Sequence, residues 1–265
     1  MKIIAICNQK GGVGKTTSTV NVASYFGKMG QRTLIIDMDP QGNAGSGVGV
    51  NKYRVEKSIY HALIEQCTLT DIIRQTEFEN VFVAPSNREL VGAEIELMQA
   101  FSRENKLKNA LNSVQNDFDY CFIDCPPSLN LLTVNALTAA DEVIIPVQTE
   151  YYALEGISEL VHTIELIQDS LNNDLEIGGI IMTMYDSRNN LANQVVAEVK
   201  SYFKDKVYEN IIPRNVKLSE SPSHGEPIMA YDGKSRGAEA YKKLAEEVFI
   251  RLNGVAKGGL RLITT

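Results

Sequence analysis

The sequence predicts an α/β fold, a mainly parallel twisted sheet of about seven or eight strands with helices on both faces. Three observations carry that expectation. Short β-branched apolar runs recur at 3–6, 33–36, 81–84, 120–123, 143–147, 177–183 and 207–212. The longer segments between them repeat apolar residues at helical spacing, the alternation that βα units require. No Pro/Gly/Ser-rich linker divides the 265 residues, so one domain over 1–253 is expected, with 254–265 as a frayed, flexible tail.

The individual elements follow from local chemistry. Lys2-Ile3-Ile4-Ala5-Ile6-Cys7 reads as the first strand. The helix after it is expected from about Lys15 to Met29 and stops at Gly30, a natural C-cap. A second helix carries Leu154, Ile157, Leu160, Val161 and Ile164 on one face, and the last runs from about Ala238 to Leu252.

Hydrophobic residues at 44% and charged residues at 22% lie near globular averages, which argues against disorder outside the termini. The start lacks the apolar stretch and small-residue cleavage site of a secretory signal, and no segment is long enough to span a membrane, so a cytoplasmic protein is expected. Three of the four cysteines, Cys7, Cys121 and Cys125, fall in strand-like runs; Cys67 does not. Their spacing matches no common zinc site, and buried reduced thiols are the simpler reading. The net charge of −7 argues against a simple basic nucleic-acid binder, but it is unevenly spread. Residues 1–180 carry 13 Lys or Arg against 23 Asp or Glu, whereas 181–265 carry 13 against 10. A polyanion could dock on the C-terminal third, with ordinary solvated surface as the alternative.

The run Lys10-Gly11-Gly12-Val13-Gly14-Lys15-Thr16-Thr17 follows the first strand and opens a helix. A Gly-rich turn there presents backbone N–H groups and the positive helix end to phosphate oxygens. Lys15 supplies a point charge to the β- and γ-phosphates, and the Thr16 hydroxyl suits a magnesium ligand. The run departs from the ordinary pattern because Gln9 stands where the first glycine would fall and Lys10 adds a second cation. Two further strands end in carboxylates, Tyr120-Cys121-Phe122-Ile123-Asp124 and Leu34-Ile35-Ile36-Asp37-Met38-Asp39. Asp124 has the form of a Walker B residue, Asp39 could orient or deprotonate an attacking water, and Asp37 could hold a metal-bound water. A single strand-end Asp is more often a cap, but three such elements in order favour a nucleotide site.

These residues together resemble the ParA/Soj-type partitioning ATPases, the deviant Walker A group of P-loop NTPases that also includes MinD and the nitrogenase iron protein. The resemblance rests on the Lys10–Thr17 loop, Asp37-Met38-Asp39-Pro40-Gln41-Gly42-Asn43 and Ile123-Asp124-Cys125-Pro126-Pro127-Ser128, and continues through 146–156, 212–220 and 235–241. It implies ATP and Mg²⁺ as ligands and a homodimer that forms around two ATP molecules, with Lys10 as the signature lysine that reaches the partner's phosphates. Gly11 and Gly12 would allow close approach across that dimer. By the same resemblance Pro213 and Asn215 lie near the base, and Arg188, Lys217 and Arg236 contact double-stranded DNA without sequence preference. Lys217 supplies charge there without the bidentate fork of an arginine. The implied activity is ATP hydrolysis stimulated by a ParB-like, DNA-bound activator, at the nucleoid, on a chromosome or plasmid cargo.

Other readings share the loop. A MinD-like, membrane-associated ATPase needs a C-terminal amphipathic helix rich in Lys and bulky apolar residues; 253–265 has three glycines and two cations. An iron–sulfur carrier needs cysteine motifs that are absent here, and a non-enzymatic scaffold has no use for Asp39 beside two lysines.

Overall fold

The computed structural model describes residues 1–150 and 153–254, apart from the side chains of Leu154 and Glu155. Tyr151, Tyr152, the face position Leu154 and the tail expected to be frayed after Gly254 therefore lie outside the described residues. Seven strands, β1 (Lys2–Ile6), β2 (Thr33–Asp37), β3 (Arg74–Gln75), β4 (Val81–Ala84), β5 (Tyr120–Asp124), β6 (Glu142–Gln148) and β7 (Glu176–Thr183), form one sheet in the order β3-β4-β2-β5-β1-β6-β7. All pairings are parallel except that of β3 with β4. The α-helices are α1 (Lys15–Lys28), α2 (Asn43–Gly47), α3 (Ile59–Leu63), α4 (Leu90–Leu97), α5 (Lys106–Leu111), α6 (Leu131–Ala139), α7 (Ala153–Ser170), α8 (Asn190–Phe203), α9 (Val216–Glu220), α10 (Ile228–Tyr231) and α11 (Arg236–Asn253).

Strand side chains alternate between two cores, as the period of two demands. Ala5, Leu34, Ile36, Cys121 and Ile123 face the core under α3 to α8. Ile4, Ile6, Ile35 and Phe122 face the core under α1 and α11. Both faces are covered, which is why the strands read as continuous apolar runs. Cys7, Cys121 and Cys125 are buried free thiols and Cys67 is half-buried; Cys7 and Cys125 stand one residue past the ends of β1 and β5.

The segment 207–212 departs from the expected strand. Only its ends pair, through isolated bridges from Val207 to Ile180 and from Pro213 to Tyr185. In the middle, the N–H groups of Glu209 and Asn210 donate to the Glu247 carboxylate on α11 at 2.9 and 3.1 Å, so the run turns away from β7. Conversely β3, a two-residue antiparallel edge, has no apolar run to announce it.

The first helix is as expected in extent. It ends at Lys28, with Gly30 at φ +86° satisfying the left-handed C-terminal position. It is buried on nearly all sides, and its polar residues are matched internally: Thr19, Asn21 and Ser24 each donate to the carbonyl four residues back, and Tyr25 Oη donates to Ala238 O at 2.8 Å on α11. Gly27 lets this helix lie against the turn before β4, because a Cβ there would meet the Glu79 carbonyl and come within 2.6 Å of Val81 Cγ2.

Gly27→Ala is therefore expected to lower unfolding stability by about 1–3 kcal/mol in urea titrations, through overpacking against rigid backbone. Gly156→Ala in α7, where a Cβ meets nothing within 4 Å, should instead be neutral or add up to about 1 kcal/mol.

Candidate functional site

The parallel register of β2, β5 and β1 brings the sequence-distant carboxylates together at one end of the sheet. Asp37 pairs with Asp124 across β2 and β5, and Asp124 pairs with Ile6, from which the Gly-rich loop departs. Both carboxyls are fully buried. Asp124 accepts the Thr16 hydroxyl at 2.7 Å and the Thr19 hydroxyl at 3.0 Å, so the first turn of α1 is tied to the end of β5. Asp37 accepts the N–H of Gly45 at 2.9 Å and of Asp39 at 3.2 Å, which fixes the turn leading into α2.

The loop is shaped by Gly12 at φ +75° and Gly14 at φ +89°, conformations that side-chain-bearing residues resist. Lys15 is buried and its Nζ donates back to the Lys10 carbonyl at 3.0 Å, curling over the loop it belongs to. Burial pulls the Lys15 ammonium below its ordinary pKa, with Asp124 the largest opposing influence. Lys10 behaves differently: its ammonium is half-exposed and pairs with Glu150, just beyond β6, at 2.9 Å. Gly11, Gly12, Gly14, Lys15, Thr16, Thr17, Asp39, Asn43, Pro127 and Met184 line a cavity of about 240 Å³, and Lys10 is not among its walls.

An adjoining cavity of about 340 Å³ shares Gly14, Thr17 and Met184 with the first and continues to Ile212, Pro213, Arg214, Asn215, Leu218 and Tyr241. The structure thus places Pro213 and Asn215 beside the loop, about 200 residues away in sequence, with Asn215 capping α9 by accepting Lys217 N. Several neighbours of the loop had only weak sequence signals. Asn8 fixes its start by donating to Pro146 O and accepting Lys10 N, and Thr183 holds Val13 O at 2.8 Å from the end of β7. An Asn directly after a strand hints at such a turn; a threonine at the end of β7 does not. Met184, in the left-handed region one residue past β7, Arg214, on the chain's return beside β7, and Tyr241, on α11, join it only through the fold.

Among the described residues no three Asp, Glu, His or Cys side chains could hold a metal ion by themselves. The donor set nevertheless suits magnesium. Asp37 and Asp124 are both buried, the charge of Lys15 acts on Asp124, and the Thr16 hydroxyl lies against Asp124, so an ion here could take oxygen from Thr16, from Asp124 through water, and from a bound phosphate. Burial raises Asp124 to about 7 and Asp37 well above the carboxylate range, the second aggravated by the charge of Asp124.

The three candidate polyanion contacts are exposed in the C-terminal third. Arg188 follows β7, Lys217 lies in α9 beside the second cavity, and Arg236 is the first residue of α11. Among the described residues no helix is long and apolar enough to cross a membrane.

A Gly-rich loop between β1 and α1, with carboxylates at the ends of the two neighbouring strands, defines an α/β nucleotide-binding protein of the P-loop class. A family model described as an AAA domain matches residues 1–177, and the chain belongs to that family, among its Soj/ParA-type partitioning ATPases. It is 58% identical over 247 residues to the sporulation initiation inhibitor protein Soj of Bacillus subtilis, covering 93% of this chain and 98% of that one. It is 52% identical over 250 residues to the chromosome partitioning protein ParA of Myxococcus xanthus, covering 94% and 88%. A structure of cobyrinic acid a,c-diamide synthase from Mycobacterium smegmatis with bound ATP analogue and magnesium superposes with a TM-score of 0.84 at 33% identity, covering 100% and 99%.

The raised carboxyls make a pH prediction. A carboxyl whose folded pKa is raised contributes stability that is complete below its unfolded value near 4 and is lost as pH rises through about 7. In ligand-free protein with EDTA, Asp124→Asn should melt about 3–6 °C above the parent at pH 8, with the gap closing at pH 5. Equal melting temperatures at both pH values would refute this.

Proposed function

We propose that this chain is a Mg-ATP-driven partitioning ATPase whose ATP-bound form is a DNA-binding homodimer. The observation that carries this reading is the division of labour between two lysines in one loop. Lys15 turns inward over its own cavity, whereas Lys10 lies outside that cavity, its ammonium paired with Glu150. One nucleotide needs the first; the second suits phosphates on a facing chain. Two triphosphates brought together repel strongly, and extra cations in a dry interface offset that.

Residues 1–253 act as one P-loop domain in this reading. The N–H groups from Gly11 to Thr17, with Lys15, bind the phosphates, and Pro213 and Asn215 border the base. Thr16 and Asp124 hold the magnesium, with Asp37 behind them; the bound ion would neutralise phosphate oxygens and orient them. Asp39, at the rim of the phosphate cavity and held by its turn through Gln41 N, positions the attacking water and takes its proton. Arg188, Lys217 and Arg236 bind the phosphodiester backbone, weakly per protomer and more strongly when two protomers act together. A ParB-like activator on DNA stimulates hydrolysis and resets the cycle, in the cytoplasm at the nucleoid. The names of the Soj and ParA relatives and the ATP analogue and magnesium in the M. smegmatis structure support this assignment.

Sedimentation and DNA binding run in parallel with ATP, ADP and no nucleotide test the core of it: only ATP should give both dimer and complex. Lys10→Ala should keep monomeric ATP binding while cutting dimer formation at least tenfold. Asp39→Ala should dimerise and bind DNA but lose turnover by about 10²-fold or more. Gly12→Val should bind ATP and stay monomeric, since a Cβ at Gly12 meets nothing of its own chain within 4 Å and the added bulk projects outward. Because Gly12 has positive φ, Gly11→Val, which does not strain the backbone in that way, serves as the companion variant. Dimers of both variants at parental affinity would sink the reading.

A further inference from the structure

Arg188 and Lys217, on the two segments that border the second cavity, are each engaged by an acid of the same chain. Asp186 lies two residues before Arg188 and takes its guanidinium with both oxygens, Oδ1 from Nε at 2.9 Å and Oδ2 from Nη2 at 2.7 Å, while Oδ1 also accepts the Arg188 N–H at 3.1 Å. Lys217 Nζ donates to Glu220 Oε2 at 2.9 Å. That oxygen also accepts the Tyr231 hydroxyl at 3.0 Å, and the ammonium stands 5.5 Å from the Tyr231 ring centroid. Each acid therefore has more than one tie to its place, and one bidentate edge of the Arg188 guanidinium, Nε with Nη2, is filled.

The two clamps sit on adjoining turns. The bridge between Tyr185 and Pro213, closed by Arg214 N to Tyr185 O at 2.9 Å, joins the segment carrying Asp186 and Arg188 to the segment carrying Lys217 and Glu220. The same segments contribute Met184, Arg214 and Asn215 to the second cavity. Hydrogen bonds from Arg188 hold the Asp186 carboxyl down to about 2, and those from Lys217 and Tyr231 lower that of Glu220, so both acids stay ionised at neutral pH.

We infer that Asp186 and Glu220 are built-in competitors for DNA phosphate, masking Arg188 and Lys217 and setting the affinity of a single protomer low. The inference rests on the proposed DNA-binding role of those two cations. An exposed ion pair is weak enough for a phosphate to displace, but the displaced carboxylate stays within a few ångströms and repels the newcomer. Each cation thus adds only a small surplus, and useful affinity requires several such contacts at once. That is the condition a dimer meets and a monomer does not. Were Arg188 and Lys217 bare, each would add its full attraction in a single protomer, and DNA affinity would depend less on oligomeric state.

The test uses the full chain with Asp186→Asn, Glu220→Gln and both together, with Arg188→Glu as the reference. Both substitutions keep the side-chain shape, and Asp186→Asn also keeps an acceptor for the Arg188 N–H. Fluorescence anisotropy with a short duplex of arbitrary sequence, from about 50 to 200 mM salt, with and without ATP, reads the affinity; circular dichroism checks folding. Each single variant should bind about threefold to tenfold more tightly at low salt, with the gain shrinking as salt rises. The double variant should retain DNA measurably without nucleotide. Unchanged or weaker binding in folded single variants overturns the masking. If Arg188→Glu binds as the parent does, it is the DNA reading of this surface that fails; if Arg188→Glu loses binding while Asp186→Asn leaves it unchanged, that reading stands and the masking falls.

Discussion

Asp37 and Asp124 face each other on adjacent strands with no access to water, and the rest of the site can be understood as the response to that charge. Two neighbouring carboxylates in a medium of low dielectric cannot both ionise without help. The help present in the chain is partial. Two threonine hydroxyls reach Asp124, two N–H groups reach Asp37, and Lys15 brings a single buried cation. Every one of those ties fixes a loop: Thr16 and Thr19 anchor the start of α1, while Asp39 N and Gly45 N anchor the turn after β2. The shortfall of positive charge leaves room for a divalent ion, and the geometry of the phosphate cavity follows from the same bonds.

Position in the sheet explains why this arrangement is so compact. The strand order puts β5 between β2 and β1, so one carboxylate strand is flanked by the other and by the strand feeding the Gly-rich loop. Loops leaving the same ends of parallel strands converge, as ligand sites of open α/β sheets do. The return of the chain beside β7 then supplies a second wall from residues 212–222. Its departure from strand geometry matters here: because Glu247 draws the backbone of Glu209 and Asn210 towards α11, the segment emerges from the sheet edge in time to place Pro213, Arg214 and Asn215 next to Gly14.

Much of this was legible in the sequence because the signals were local. A β-branched run ending in Asp, a Gly-rich turn before an amphipathic helix, and Gly30 as a stop each act over a few residues, and β1, β2, β4 to β7 and α1 lie where those signals put them. The strand expected at 207–212 failed for a reason no window can see, namely a carboxylate on α11 about forty residues later. The edge strand β3 is held by two residues against β4 and has no apolar period. At the site, the ends of β1, β2 and β5 could be read directly, whereas Asn8, Thr183 and Tyr241 are ordinary residues until the fold brings them to the loop. The Glu150 partner of Lys10 was likewise invisible, since nothing in the order of residues links the start of the loop to the end of β6.

That partner bears on how the proposed switch would work. Lys10 and Glu150 are both about half-exposed, and a pair of that kind is worth at most about 1 kcal/mol. Such a contact can park the Lys10 ammonium away from its own cavity without committing it, because a triphosphate on a facing chain carries several times the charge of one carboxylate. Arg188 with Asp186 and Lys217 with Glu220 repeat the pattern on another face. In the proposed reading, Lys10, Arg188 and Lys217, which serve a partner molecule, are each held in the single chain by a weak acid contact close at hand, whereas Lys15, which serves the chain's own nucleotide, is buried and bonded to backbone. The strength of the tie follows the job: fixed where the ligand is the protomer's own, and easily exchanged where binding has to wait for assembly.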